Sequence, residues 1–280
     1  MSRVAIATCL GTDVDRDSPV LLGALANIGV KGELAVWDDP SVAWDRFEIV
    51  VIRSTWDYAA RRNEFLAWAR SVKHLFNPYG VVEYSSDKHY LVDLEAHGLK
   101  IIPSHFCDVG KKPRFFHGDF VVKPCVGAGS MDAVRFKESE HDLALAHVAS
   151  LHASGRDALI QPYVASVDTA GERALIFIDG ALSHAMTKGA MLNVTQLDRN
   201  QLFRLDQMSR ADAEPDAVAF AQSVLSAKAF SHLLYARVDL VRLDDRWAVM
   251  ELELVEPSLF LTYDEGAAVR LAGAIARRLA

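Results

Sequence analysis

Short apolar runs broken by polar turns set the rhythm of this chain. Residues 4–8, 31–37 and 49–53 are apolar runs of the buried-strand kind, while 19–26 and 65–73 carry apolar residues at helical spacing. Strand, helix, strand, strand, helix in the first 75 residues predicts an α/β lobe around a parallel sheet. Ligands of such sheets bind at the carboxyl ends of the strands. The segment Arg53-Ser54-Thr55-Trp56-Asp57-Tyr58 stands at one of those ends. It suits a small polar ligand and equally a helix cap at Ser54 or Thr55. Asp13, Asp15 and Asp17 are spaced as in a Ca²⁺ loop. The glycine and glutamate that such a loop needs further on are missing, so they are read as a solvated turn.

Beyond residue 86 the pattern changes. Asp87, after Ser85-Ser86, predicts a helix over 88–97 closed by Gly98. A strand at 120–124, a flexible loop Gly127-Ala128-Gly129-Ser130, a strand at 133–136, a helix at 139–152 and a strand at 158–163 follow. Antiparallel strands come next, at 172–178, 181–187, 236–242 and 246–254, with the tight turns Asp179-Gly180 and Asp244-Asp245. Amphipathic helices are expected at 217–234 and 266–279.

Bulk properties narrow the function classes. The 280 residues are 51% hydrophobic and 24% charged, an ordinary globular mix. A formal net charge of −7 with no basic block argues against a nucleic-acid partner. No apolar run approaches the roughly 20 residues of a membrane span, and the first strand is too short for a signal peptide. Cys9, Cys107 and Cys125 are odd in number and far apart, which suits a reducing cytoplasm and no disulfide framework. Association into a homo-oligomer is left open. Trp37, Trp44 and Trp68 read as packing residues, His89, His97 and His184 as surface or satisfied core groups, and Cys125 as packing.

The chemistry concentrates late in the chain. Glu251 and Glu253, two apart in Glu251-Leu252-Glu253-Leu254-Val255-Glu256-Pro257, point to one face of a strand, with Leu252 and Leu254 on the other. A half-buried strand with a polar face would also read so. Asp239, at the end of the preceding apolar run, tips the balance toward a cation held by hard oxygen ligands, Mg²⁺ or Mn²⁺. Glu256 is an odd number of residues away and faces the other side unless Pro257 bends it back toward a substrate. Lys123 ends an apolar strand just before the glycine loop, an arrangement that cradles phosphate. Lys88, Arg173, Lys188 and Arg237 sit in or beside apolar patterns where a solitary cation would be costly. Together they describe a polyphosphate pocket with a metal floor.

The ordered set resembles the ATP-grasp superfamily, near its glutathione-synthetase and ribosomal-modification-ligase branch. The resemblance rests on Asp87-Lys88, Val122-Lys123-Pro124 with Gly127-Ala128-Gly129-Ser130, and Ile160-Gln161-Pro162-Tyr163-Val164. It continues through Gly171-Glu172-Arg173, Lys188, Arg237-Val238-Asp239 and Glu251-Leu252-Glu253. It implies an N-terminal parallel α/β lobe over 1–86 and two α+β lobes, 87–164 and 165–280, enclosing ATP. By the same resemblance Lys88, Lys123, Gly127, Gly129 and Ser130 bind the nucleotide phosphates, and Gln161, Tyr163 and Val164 form the adenine hinge. Arg173 and Lys188 would face the γ-phosphate or the acyl phosphate, and Asp239, Glu251 and Glu253 would hold two Mg²⁺ ions. Arg237, two before Asp239 on the same face, forms a plain salt bridge with it or lies beside a metal-bound phosphate as a further catalytic candidate. Many relatives have asparagine where Glu253 stands. The stretch Glu256-Pro257-Ser258-Leu259-Phe260-Leu261 is similar to a bacterial subgroup that includes the O-ureidoserine cyclo-ligase of cycloserine biosynthesis. That implies an ADP-forming carbon–nitrogen ligase closing a small amino acid on itself, with Arg53, Ser54, Thr55 and Glu256 toward the substrate. An intermolecular amino-acid or peptide ligase and a non-catalytic nucleotide-binding protein are the alternatives.

Overall fold

The computed structural model describes residues 2–11, 15–190, 208–227, 230 and 232–279. Three sheets organise them. The first comprises β1 (Arg3–Thr8), β2 (Lys31–Val36), β3 (Ile49–Ser54) and β4 (Leu75–Phe76), in the order β2-β1-β3-β4 and parallel throughout. Helices α1 (Asp17–Asn27) and α2 (Arg62–Ser71) are its crossovers. Residues alternating along β1 and β3 face opposite ways. Val4, Ile6, Ile49 and Val51 pack with α1, while Ala5, Ala7, Val50 and Ile52 pack with Trp37, Phe65 and Trp68. The tryptophans expected to be packing residues are therefore part of this core. Two short helices, α3 (Tyr79–Ser85) and α4 (Tyr90–Ala96), lead to the central sheet.

The central sheet is antiparallel, ordered β5-β8-β6-β7, from β5 (His105–Cys107), β6 (Phe120–Pro124), β7 (Val134–Phe136) and β8 (Ala158–Pro162). Helix α5 (His141–Ala153) covers one face through Ala144, Val148 and Leu151. The third sheet follows the short helix α6 (Ser166–Ala170). It contains β9 (Glu172–Ile178), β10 (Ala181–Lys188), β11 (Met208–Ala211), β12 (Tyr235–Leu243) and β13 (Arg246–Glu253), ordered β11-β10-β9-β12-β13. Its two faces are both covered. Leu175, Phe177, Ala236, Val238 and Leu240 pack against α7 (Pro215–Ala227) and α4. Ala174, Ile176, Ile178 and Tyr235 pack against α1 and α8 (Ala267–Arg277).

Some expectations are corrected. The helix expected at 88–97 is shorter, because the Lys88 N–H is drawn to the Cys125 carbonyl at 2.9 Å and α4 starts only at Tyr90. The helix expected over 217–234 stops at Ala227. Leu234 instead donates its N–H to Asn77 Oδ1 at 2.8 Å and leads into β12. Helix α3 and strands β5 and β11 were not anticipated, since each is too short to develop a hydrophobic period.

Candidate active site

Strands β12 and β13 pair antiparallel, with Asp239 opposite Glu251 and Arg237 opposite Glu253. Directly opposed residues share a face. One ligand oxygen from each of Asp239, Glu251 and Glu253 can be chosen so that all three lie within 4.8 Å of one another. Asp239 is fully buried. Two such anions on neighbouring positions repel, which adds to the cost of burying them. Burial pushes the Glu253 carboxyl up to about 7, with Glu251 and Asp239 adding to the effect against Arg237. Burial works on Glu251 too, but Lys88 and Lys123 outweigh it and hold this carboxyl at about 2. Three clustered carboxylate oxygens fit a hard divalent cation.

Basic side chains surround this floor. Lys88 Nζ lies 2.9 Å from Glu251 Oε1. Lys188 Nζ lies 2.6 Å from Asp239 Oδ2 and 2.8 Å from Glu172 Oε2. Arg237 pairs with Asp239 at 3.0 Å and with Glu253. Gly171 makes the Glu172–Lys188 contact feasible. With φ +70° it enters β9 so near the end of β10 that a Cβ would stand 2.6 Å from the Lys188 carbonyl oxygen. Lys123 differs from the others. Among the described residues no carboxylate comes within 4.0 Å of its ammonium, and burial lowers its pKa. A partly buried ammonium near the end of a strand, with no carboxylate in contact, is where an anionic ligand would be stabilised.

These groups line one cleft between the central and third sheets. Its wall contains Lys88, Lys123, Gly127, Gly129, Ser130, Gln161, Tyr163, Val164, Lys188, Arg237, Glu251 and Glu253. Gln161 Nε2 donates to Ser104 Oγ at 2.9 Å, and the Tyr163 N–H donates to the Asp119 carbonyl at 2.8 Å. The structure thus brings together residues from six separate stretches that the sequence nominated, at 88, 123–130, 161–164, 188, 237 and 251–253.

Arg173 is the exception. Alternation along β9 turns Glu172 into the cleft and Arg173 to the opposite face, toward the start of α7. There Arg173 forks Glu214 at 2.9 and 2.6 Å and also bonds Thr187. It is not a lining residue, so the expectation that it faces a phosphoryl group is corrected. Glu172 is the cleft residue that sequence reading missed, and its signal was its place next to Gly171.

A second, smaller cavity adjoins the first and shares Met208, Ser258 and Phe260 with it. Arg53, Ser54, Trp56, Asp15 and Asp17 line it, at the carboxyl ends of β1 and β3. Arg53 is 3% exposed, yet its Nε and Nη1 have no hydrogen-bond partner. Its Nη2 donates to the Pro257 carbonyl at 2.5 Å. Thr55 lines neither cavity. Its side chain is fully buried behind the strand end, which corrects its expected role. Glu256 is likewise buried and lines neither cavity, and burial with Glu253 nearby raises its carboxyl to about 8. Asp17 is no solvated turn: it is 7% exposed, and its carboxylate accepts the N–H groups of Leu259 and Leu261 at 2.7 and 2.8 Å. Asp13 lies outside the described residues.

A parallel lobe beside two antiparallel sheets, with a lysine-lined cleft over a carboxylate floor between the latter, defines an ATP-grasp ligase. A profile of the N-terminal domain of the D-cycloserine synthetase DcsG matches residues 4–77. The cycloserine biosynthesis protein DcsG of Streptomyces lavendulae is 42% identical, with 100% of this chain and 99% of that protein covered. A crystal structure of D-cycloserine synthetase DcsG superposes with a TM-score of 0.91 at 39% identity over 100% of both chains. A RimK-domain ATP-grasp protein of Sphaerobacter thermophilus shares the fold, with a TM-score of 0.69 at 15% identity over 99% and 98% of the two chains. The chain belongs to the DcsG family of ATP-grasp ligases.

Proposed function

We propose that this enzyme is an ATP-dependent, ADP-forming cyclo-ligase that closes O-ureidoserine to cycloserine. The carrying observation is the pair of adjoining cavities. One is built for polyphosphate over a carboxylate floor, and the other is lined by Arg53, whose buried Nε and Nη1 have no hydrogen-bond partner. ATP suits the first: Gln161 to Val164 border the base, while Lys88, Lys123 and the loop 127–130 cover the phosphates. Asp239, Glu251 and Glu253 would hold Mg²⁺, or Mn²⁺ in its place, with two ions as the family resemblance implies. Such ions neutralise charge so that one anion can attack another.

The substrate carboxylate attacks the γ-phosphate, and ADP leaves. Lys188 and Arg237, now paired with the floor carboxylates, are placed to neutralise the transferred phosphoryl oxygens. The aminooxy nitrogen of the same molecule then bonds the acyl carbon as the carbon–oxygen bond to phosphate breaks and inorganic phosphate leaves, and one water hydrolyses the ureido group to carbon dioxide and ammonia. Arg53 and Ser54 would hold the small substrate meanwhile. An enzyme of cytoplasmic metabolism fits three free, buried cysteines. Glu251→Gln tests the reading, because it removes charge but little volume. ADP formation with O-ureidoserine should be abolished while the melting profile stays intact. Near-normal turnover by the variant would refute the metal floor.

A further inference from the structure

Residues 257–261 form the strap where the two cavities meet, and their backbone is unusually well tied. Arg53 donates to the Pro257 carbonyl at 2.5 Å and Arg237 to the Ser258 carbonyl at 3.0 Å. His184 Nε2 lies 2.9 Å from the Leu259 carbonyl oxygen. Asp17 takes the N–H groups on both sides of Phe260. Phe260 itself is left-handed, at φ 51° and ψ 40°. The other non-glycine residues with positive φ among those described are aspartates and one histidine, which tolerate it. A bulky aromatic residue keeps such a conformation only where its surroundings over-determine it, and strain of this kind gathers at functional sites. Its ring borders both cavities, 5.5 Å from the Arg237 guanidinium and edge-on to Tyr263.

We propose that Phe260 is the partition that keeps water and outside amines off the acyl phosphate, with Asp17 as its positioning residue. This inference rests on the ligase reading above. The acyl carbon must form where the cavities join, beside Met208, Ser258 and Phe260. An apolar ring there offers water no hydrogen bond, and leaves the substrate's own nitrogen as the nucleophile that is already inside. The polar partners of the strap come from both the parallel lobe (Asp17, Arg53) and the third sheet (His184, Arg237). The ring therefore stays in place only while these two parts remain docked.

Hydroxylamine tests the partition. Its nitrogen bonds the acyl carbon as the bond to phosphate breaks, giving a hydroxamate and inorganic phosphate, which takes up the displaced proton. Two ratios are read in the full-length enzyme with ATP, Mg²⁺ and O-ureidoserine: ADP released per ring product, and hydroxamate formed per ADP. Wild type and Phe260→Tyr should release ADP in step with ring product and trap little hydroxamate. Phe260→Gly, whose backbone suits the left-handed conformation, should raise both ratios several-fold, and Asp17→Asn should raise them in the same direction. Phe260→Leu, which keeps apolar bulk but not the span of the ring, serves if the glycine variant does not melt cooperatively. A purely structural role would lower all rates together and leave the ratios unchanged, which would overturn the inference. So would a Phe260→Gly enzyme that folds but releases no ADP. Hydroxamate without ring product in wild type would sink the cyclisation reading instead, and greater trapping by Phe260→Gly than by wild type would still support the partition.

Discussion

Asn77→Ala should loosen the seat of the parallel lobe on the third sheet. Asn77 is fully buried just after β4. Its Nδ2 donates to the Tyr235 carbonyl at 2.9 Å and the Leu254 carbonyl at 2.7 Å, and its Oδ1 accepts the Leu234 N–H at 2.8 Å. One side chain thus satisfies the entry to β12 and the exit of β13. Tyr235 reinforces the same junction, its hydroxyl 2.7 Å from the carbonyls of both Ile52 and Val255. Alanine removes three hydrogen bonds of about 1 kcal/mol net each and strands their buried partners, so the total loss should be about 3–5 kcal/mol. With a urea slope of roughly 3 kcal/mol per molar, the midpoint should fall by about 1–1.7 M. Equilibrium urea denaturation followed by tryptophan fluorescence measures it, the tryptophans of the parallel lobe reporting directly. A midpoint within about 0.3 M of wild type, at unchanged slope, would show that the junction is held by apolar packing and not by Asn77.

Lys123→Ala should raise the KM for ATP by about 10- to 100-fold, the worth of one charge-assisted hydrogen bond, and lower kcat as well, as seen by coupled ADP release. Arg173 and Lys188 should part company. Arg173→Met, away from the cleft, should leave kcat within about threefold, while Lys188→Met, which deprives Asp239 and Glu172 of their shared cation, should lower it by about 100-fold or more. Equal losses in the two variants would contradict the face assignment along β9. His184 gives a pH signature. Burial lowers its pKa below the ordinary value of 6.5, so the unfolded chain binds the extra proton first. Its contribution is intact above pH 6.5 and is lost as the pH falls through that value toward the folded pKa. Urea midpoints across this range should fall less steeply in His184→Gln than in wild type, and parallel slopes would rule the titration out.

Much of this enzyme could be read along the chain because its chemistry sits at regular strand spacings. Glu251 and Glu253 are two apart, as are Arg237 and Asp239, so the period of a strand alone puts each pair on one face. Lys123 before Gly127 and Gly129, nominated by local backbone logic as a phosphate cradle, does line the cleft. The parallel first sheet and the antiparallel hairpins follow from the same patterns of run and turn. What the sequence could not carry is which face of a strand looks into the cleft. Alternation allows either choice, and only packing against α7 decided that Glu172 lines the site while Arg173 pairs with Glu214. Thr55 shows the same limit, being polar, beside Ser54 at a strand end, and yet turned inward. Asp17 and Phe260 lie 243 residues apart, yet Asp17 grips the N–H groups flanking Phe260. A left-handed phenylalanine leaves no mark on local propensity, because partners distant along the chain hold it. Strand period and turn chemistry are local and legible in sequence, whereas the choice of face and the gripping of a strained residue exist only once separate lobes have packed together.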